Sequence, residues 1–209
     1  MLNTSYISHL KGYLCKLRMK EEFDDIKFEE VPLEFYSDSN KALFQTCTFC
    51  SKDLSLGDET YMIEKSFKIN PNNGQKNTVF EYAICMSCNI KKMQAMSEES
   101  IRNIQNYMQE NFVFEQMEKQ LENHNRLEEC VVTGEKIGDL EEYNIVGQFV
   151  GDKMIVGQFP LLFSPSIGEE IQELLSQKTK DEFDDFMNTI NDVPPELKEL
   201  FKTKRPVLV

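Results

Sequence analysis

The stretches Thr46-Cys47-Thr48-Phe49-Cys50-Ser51 and Ile84-Cys85-Met86-Ser87-Cys88-Asn89 decide how the rest of this chain is read. Each carries a Cys-x-x-Cys pair, and 34 residues separate Cys50 from Cys85. Six cysteines in 209 residues are too few for a disulfide scaffold, and pairs at this spacing in an intracellular protein read as metal ligands. A two-residue spacer lets both thiolates of a knuckle point at one ion, and four thiolates suit a tetrahedral zinc ion with bonds of about 2.3 Å. Four sulfurs fill that coordination shell, so the site holds structure and leaves no position for water. Cys47, Cys50, Cys85 and Cys88 are therefore the candidate ligands and zinc the expected metal. A four-cysteine iron site is the other option open to this donor set. A catalytic dithiol would need a helix start within a βαβ pattern, which the surroundings of Cys47 and Cys50 lack.

Between the pairs, residues 60–69 (TYMIEKSFKI) and 78–84 (TVFEYAI) predict strands, and the Asn70-Pro71-Asn72-Asn73-Gly74 cluster between them predicts the turn of a hairpin. From Asn89 the pattern turns helical. Knuckle, hairpin, and second knuckle at a helix start, over residues 44–96, is an order that resembles the treble-clef zinc finger. The resemblance implies that the last two ligands lie in the first turn of a helix, whose amides stabilise thiolate charge. A zinc ribbon uses the same ligands but places the second knuckle in a β-turn followed by glycine, where this chain has Asn89 and Ile90. Treble clefs that support nuclease chemistry add a His-Asn-His set. The only histidines here, His9 and His124, both fall outside the module, so that chemistry has no candidate base.

Further out, Ile7, Leu10, Leu14 and Leu17 predict an amphipathic helix over 5–20. Residues 26–36 predict an irregular extended stretch, because Pro32 excludes a central strand. Ser97 followed by Glu98 and Glu99 predicts the start of a helix reaching about residue 123, with a break near Asn111. In the second half, Ile-Val-Gly-Gln-Phe occurs at 145–149 and again at 155–159, which predicts a hairpin turning at Gly151-Asp152. Upstream, Cys130-Val131-Val132-Thr133-Gly134 has the form of a knuckle with threonine in place of its second cysteine. Downstream, Ser164-Pro165-Ser166 opens a helix, Ser166 with Glu169 and Thr179 with Glu182 have the form of capping boxes, and Pro194-Pro195 opens a last short helix. Residues 128–176 thus predict a second knuckle, hairpin and helix without metal, with Cys130 as the remnant ligand. The alternative is an unrelated α+β segment with ordinary turns, in which Cys130 is a small buried hydrophobe.

The fold class expected is α+β, a treble-clef-like zinc module joined by helices to a second hairpin-plus-helix unit. The expected divisions are 1–43, 44–96, 97–127 and 128–209. The chain carries 23 Lys and Arg against 36 Asp and Glu, a net charge of −13 that repels phosphate. Residues 41–93 alone sum to +2, and supply Lys65, Lys68, Lys76, Lys91 and Lys92 around the knuckles. Asp181, Glu182, Asp184 and Asp185 lack the loop pattern of a calcium site and predict a solvated helix face. Neither an apolar run long enough for a membrane span nor a signal-peptide pattern is seen, so a cytoplasmic location with no membrane is expected. The function expected is a non-enzymatic zinc protein whose finger stiffens a regulatory or interaction scaffold for another protein. Nucleic-acid binding through the finger is the alternative. An enzyme or thiol redox protein, with Cys130 as the thiol of interest, is the second alternative.

Overall fold

The computed structural model of the protein describes residues 27–111, 126–157 and 159–189. The helices expected at 5–20 and after Pro194, the stretch expected as helix beyond Asn111, and both histidines lie outside the described residues.

The turn chemistry of the first hairpin acts as its residues suggest. Strand β2 (Thr60–Ile69) and strand β3 (Lys76–Cys85) are joined where the Gly74 N–H donates to the Asn70 carbonyl at 2.8 Å. Gly74 takes a φ of +67° there, a conformation that costs a residue without Cβ little. Helix α1 (Met86–Gln94) follows β3 directly, and helix α2 (Glu98–Asn111) follows α1. The second half runs through β4 (Glu142–Val150), β5 (Lys153–Val156), β6 (Leu161–Phe163), α3 (Pro165–Leu174) and α4 (Gln177–Thr189). Gly151 and Asp152 form the turn between β4 and β5, as the repeated pentapeptide predicts.

The class is α+β, one antiparallel sheet of six strands with four helices among the described residues. The sheet order is β1-β5-β4-β2-β3, where β1 is Lys27–Glu30, and β6 pairs with β4 beyond the end of β5. The two hairpins therefore meet along β2 and β4, where Thr60 to Lys68 run antiparallel to Val150 to Glu142. β1 lies in the stretch expected to be irregular. Its pairing to β5 (Lys27 with Val156, Glu30 with Lys153) makes an edge strand that ends just before Pro32, so the proline excludes only a central position.

One core underlies both hairpins. Phe149 of β4 packs edge-on against Phe35 at 5.1 Å and stacks on Tyr61 of β2 at 5.5 Å. Ile63, Ile145, Leu162 and Ile167 belong to its fully buried part. Burying each such side chain contributes about 1.5–3 kcal/mol, so the core ties the segment around the first knuckle to the segment around the second.

Two helices, α1 and α4, start earlier than their local patterns suggest, α3 starts at Ser164-Pro165 as expected, and a distant partner bonds the start of each. α1 begins at Met86 rather than near Asn89, because Glu59 accepts the Ser87 N–H at 2.7 Å. α3 has Ser164 as its N-cap with Pro165 at the first helical position, and the Ser164 N–H donates to Cys130 Sγ at 3.3 Å. Ahead of α4, the Ser176 N–H donates to Ser100 Oγ at 2.8 Å, and Ser176 Oγ accepts the Thr179 N–H at 3.3 Å. Ser166 and Thr179 therefore lie inside their helices rather than at the caps.

Candidate metal centre

The first knuckle is a closed turn. The Cys47 N–H donates to the Lys52 carbonyl at 2.8 Å and the Ser51 N–H to the Cys47 carbonyl at 2.9 Å. Ser51 closes it in the left-handed region at φ 57°, a conformation that favours glycine. The turn is pinned to β3 by the Thr48 N–H, which donates to the Ala83 carbonyl at 2.8 Å. That bond brings the knuckle beside the end of β3, where Cys85 is both the last strand residue and the N-cap of α1, and Cys88 lies in the first helical turn.

The four sulfurs converge. Those of Cys47, Cys50, Cys85 and Cys88 all lie within 4.8 Å of one another, and Cys50 Sγ is 3.7 Å from Cys85 Sγ. A tetrahedral ion with bonds of about 2.3 Å separates its sulfurs by roughly 3.8 Å, whereas a disulfide needs about 2.0 Å. All four are free thiols, three of them buried and Cys50 exposed. Among the described residues this is the one group of His, Cys, Asp or Glu whose ligand atoms converge in this way.

The polar surroundings suit thiolates. The Cys85 N–H donates to Cys47 Sγ at 3.4 Å, and the N-terminus of α1 brings the positive end of its dipole to the cluster. Burial, with the neighbouring Cys47 sulfur, pushes the Cys85 thiol up to about 11, and burial holds Cys88 higher still. For Cys50 burial also acts upward, but the Lys52 N–H and bonds from the other three cysteines outweigh it, so its thiol is lowered. Four sulfurs packed this closely suit a shared cation, and the donor set fits zinc, which would be held as a structural ion.

A carboxylate that no pattern in the sequence singles out fixes this arrangement. Glu59 accepts the Ser87 N–H at 2.7 Å and the Ser87 hydroxyl at 2.6 Å, and also bonds the Lys52 ammonium. It links the first knuckle to the first turn of α1. The Lys52 bond, then those from Ser87, hold the Glu59 carboxyl down at about 2.

The lysines that make this segment positive are not all at its surface. Lys65 is buried, 2.9 Å from Glu81, and donates to the Tyr36 carbonyl at 2.6 Å. Lys92 is buried on α1, and burial lowers its pKa against the opposing pull of Glu64. Lys68 pairs with Glu142 at 2.7 Å, and Lys76 lies over the Phe67 ring at 4.7 Å.

Cys130 is fully buried and stands apart from the four ligands. Burial pushes its thiol up, but hydrogen bonds from Thr133 and Ser164 outweigh that and bring it down. No histidine lies among the described residues, and the Cys130 sulfur contacts Thr133 and Ser164 rather than a base. Asp181, Glu182 and Asp185 are exposed on α4, as expected of a solvated face.

No family model, no curated protein and no solved structure matches this chain.

Proposed function

We propose that the protein is a non-enzymatic zinc protein, in which Cys47, Cys50, Cys85 and Cys88 hold one structural ion in a treble-clef finger that stiffens a scaffold for binding another protein. The convergence of four free thiols within 4.8 Å, on a knuckle, a strand end and a helix start, carries this reading. Cys88 in the first turn of α1 favours a treble clef over a ribbon. On this reading residues 128–176 are a second unit of the same type that has lost its metal. Free thiols in ligand geometry accord with a reducing compartment, so the cytoplasm belongs to the proposal. No helix among the described residues is long and apolar enough to cross a membrane.

A protein partner is favoured by apolar side chains left at the surface, including Ile90 and Met93 on the finger helix, which are 46% and 41% exposed. Nucleic acid is less favoured, because Lys65 and Lys92 are buried and Lys68 is paired with a carboxylate.

Elemental analysis of the purified chain, with thiol counting before and after denaturation, tests the metal site. One zinc per chain with four protected thiols is expected. Iron, or no metal with a reactive pair, overturns it. For the partner, nuclease-treated protein ligands retained by the native chain but lost from the I90D/M93D variant support the scaffold. A salt-sensitive mobility shift with DNA or RNA transfers the reading to nucleic acid.

A further inference from the structure

The Cys130 knuckle repeats the Cys47 knuckle bond for bond. A shift of 83 residues carries Cys47 onto Cys130, and with it the pattern of backbone hydrogen bonds. The Cys130 N–H donates to the Glu135 carbonyl at 2.8 Å and the Gly134 N–H to the Cys130 carbonyl at 2.9 Å, as Cys47 does with Lys52 and Ser51 with Cys47. The Ile137 N–H donates to the Glu128 carbonyl at 2.7 Å, as Leu54 does to Gln45 at 2.8 Å. Gly134, at φ +71°, stands where Ser51 takes its left-handed conformation.

The same shift carries β2 onto β4 and leaves their pairing unchanged. Ile63 pairs with Gly147 and Glu64 with Val146, and exchanging the strands at this shift turns either pair into the other. The second hairpin is four residues shorter, so its helices follow at a shift of 79. Val131 is pinned to Leu162 at 2.9 Å as Thr48 is to Ala83, and Ser164 caps α3 where Cys85 caps α1. The Ser164 N–H donates to Cys130 Sγ at 3.3 Å, the counterpart of Cys85 to Cys47 at 3.4 Å.

The shift of 79 also takes Ser97 and Ser100 of the α2 start to Ser176 and Thr179 of the α4 start, and these four residues bond reciprocally. The Ser97 N–H donates to Thr179 Oγ1 at 2.9 Å and the Ser176 N–H to Ser100 Oγ at 2.8 Å. Ser97 Oγ meets its own counterpart Ser176 Oγ at 2.8 Å, and Ser100 Oγ meets Thr179 Oγ1 at 2.8 Å. Contacts in which residue i meets j and j meets i define an isologous two-fold interface.

We infer that the chain is a fused two-fold pair of one knuckle, hairpin and two-helix unit, and that Cys130, Thr133, Ser164 and Ile167 form a second metal site with three of its four thiolates replaced. The burial of these four positions runs buried, exposed, buried, buried, as it does at Cys47, Cys50, Cys85 and Cys88. Hydrogen bonds to Cys130 Sγ and the aliphatic Ile167 hold together what an ion would hold in the first unit. The inference rests on the first site being a metal site.

Cobalt titration of the full chain under reducing conditions, read by thiolate-to-metal charge transfer and by stoichiometry, tests it. The native chain is expected to bind one cobalt ion, and T133C/S164C/I167C two. Adding C130S to the triple variant leaves three thiolates there and should weaken the second ion, whereas adding it to T133C/S164C leaves two and should return that variant to one. T133C/S164C alone leaves Ile167 in the core and offers three thiolates, so a second, weaker ion is expected there even where the triple variant does not fold. A double or triple variant with native circular dichroism, a filled first site and no second ion overturns the inference. A native chain that binds no metal instead overturns the reading of the first site.

Discussion

A Cβ on Gly147 would stand 2.6 Å from Cζ of Phe149, two residues along the same strand, and 2.9 Å from Cζ of Phe35. Both rings are fully buried and in contact with each other, so neither can give way without opening the core. Gly147→Ala should destabilise the protein by about 1–3 kcal/mol, as overpacking does. Gly157 holds the same place in the second copy of Ile-Val-Gly-Gln-Phe, yet a Cβ added there would meet nothing within 4 Å among the described residues. Gly157→Ala should leave the denaturation midpoint nearly unchanged, and urea unfolding of the two variants side by side checks the contrast.

Loss of one ligand should empty the metal site. Structural zinc contributes on the order of 10 kcal/mol to a small finger, so Cys50→Ser or Cys85→Ser should release the metal and unfold the segment around both knuckles. Zinc content and thermal melting report this. Full zinc with an unchanged melt in either variant would remove that cysteine from the ligand set.

Glu59 should make stability depend on acid. Its carboxyl is lowered from 4.5 to about 2, so it stabilises the folded state fully above about 4.5 and loses that effect as pH falls toward 2. The stability difference between the native chain and Glu59→Gln should therefore be largest at neutral pH and shrink through this window. A difference that stays constant from about pH 6 to 2 would show that the carboxylate charge is not what holds Ser87 and Lys52.

Lys65 counts as a surface cation in a reading of composition, but it is buried in an ion pair with Glu81. Removing one member of such a pair leaves the other without its partner. Lys65→Met should cost about 3 kcal/mol, the low end of the range for a broken buried pair, because Glu81 remains partly in water. Chemical denaturation measures it, and a neutral result would mean that the ammonium contributes little beyond its aliphatic stem.

Cys130 should resist alkylation. It is fully buried, and a thiol reacts only where reagent can reach it. Peptide mass spectrometry after brief iodoacetamide treatment should find it unmodified in the native chain and labelled in denaturant. Rapid native labelling would bring thiol chemistry forward.

What could be read from the sequence was local. Two-residue cysteine spacers and an Asn-Pro-Asn-Asn-Gly turn carry their geometry within a few residues, so the ligand cluster and the β2–β3 hairpin were legible. Contacts between distant residues were not. Nothing near Glu59 announces that it will reach Ser87, and nothing near Ser164 or Ser176 shows that partners more than 30 residues away bond the helix starts. For the same reason the pairing of β2 with β4 could not be seen from either hairpin alone.

That pairing bears on the order in which the molecule can be completed. β2 leaves the ribosome some 80 residues ahead of β4, and until β4 arrives it has β3 on one side and a bare row of amides and carbonyls on the other. A long apolar edge is a template for any other strand, including the β4 of a neighbouring nascent copy. The long loop that must close before β2 is covered makes this step slow as well as exposed. The finished chain keeps its most adhesive edge in the middle of its own sheet.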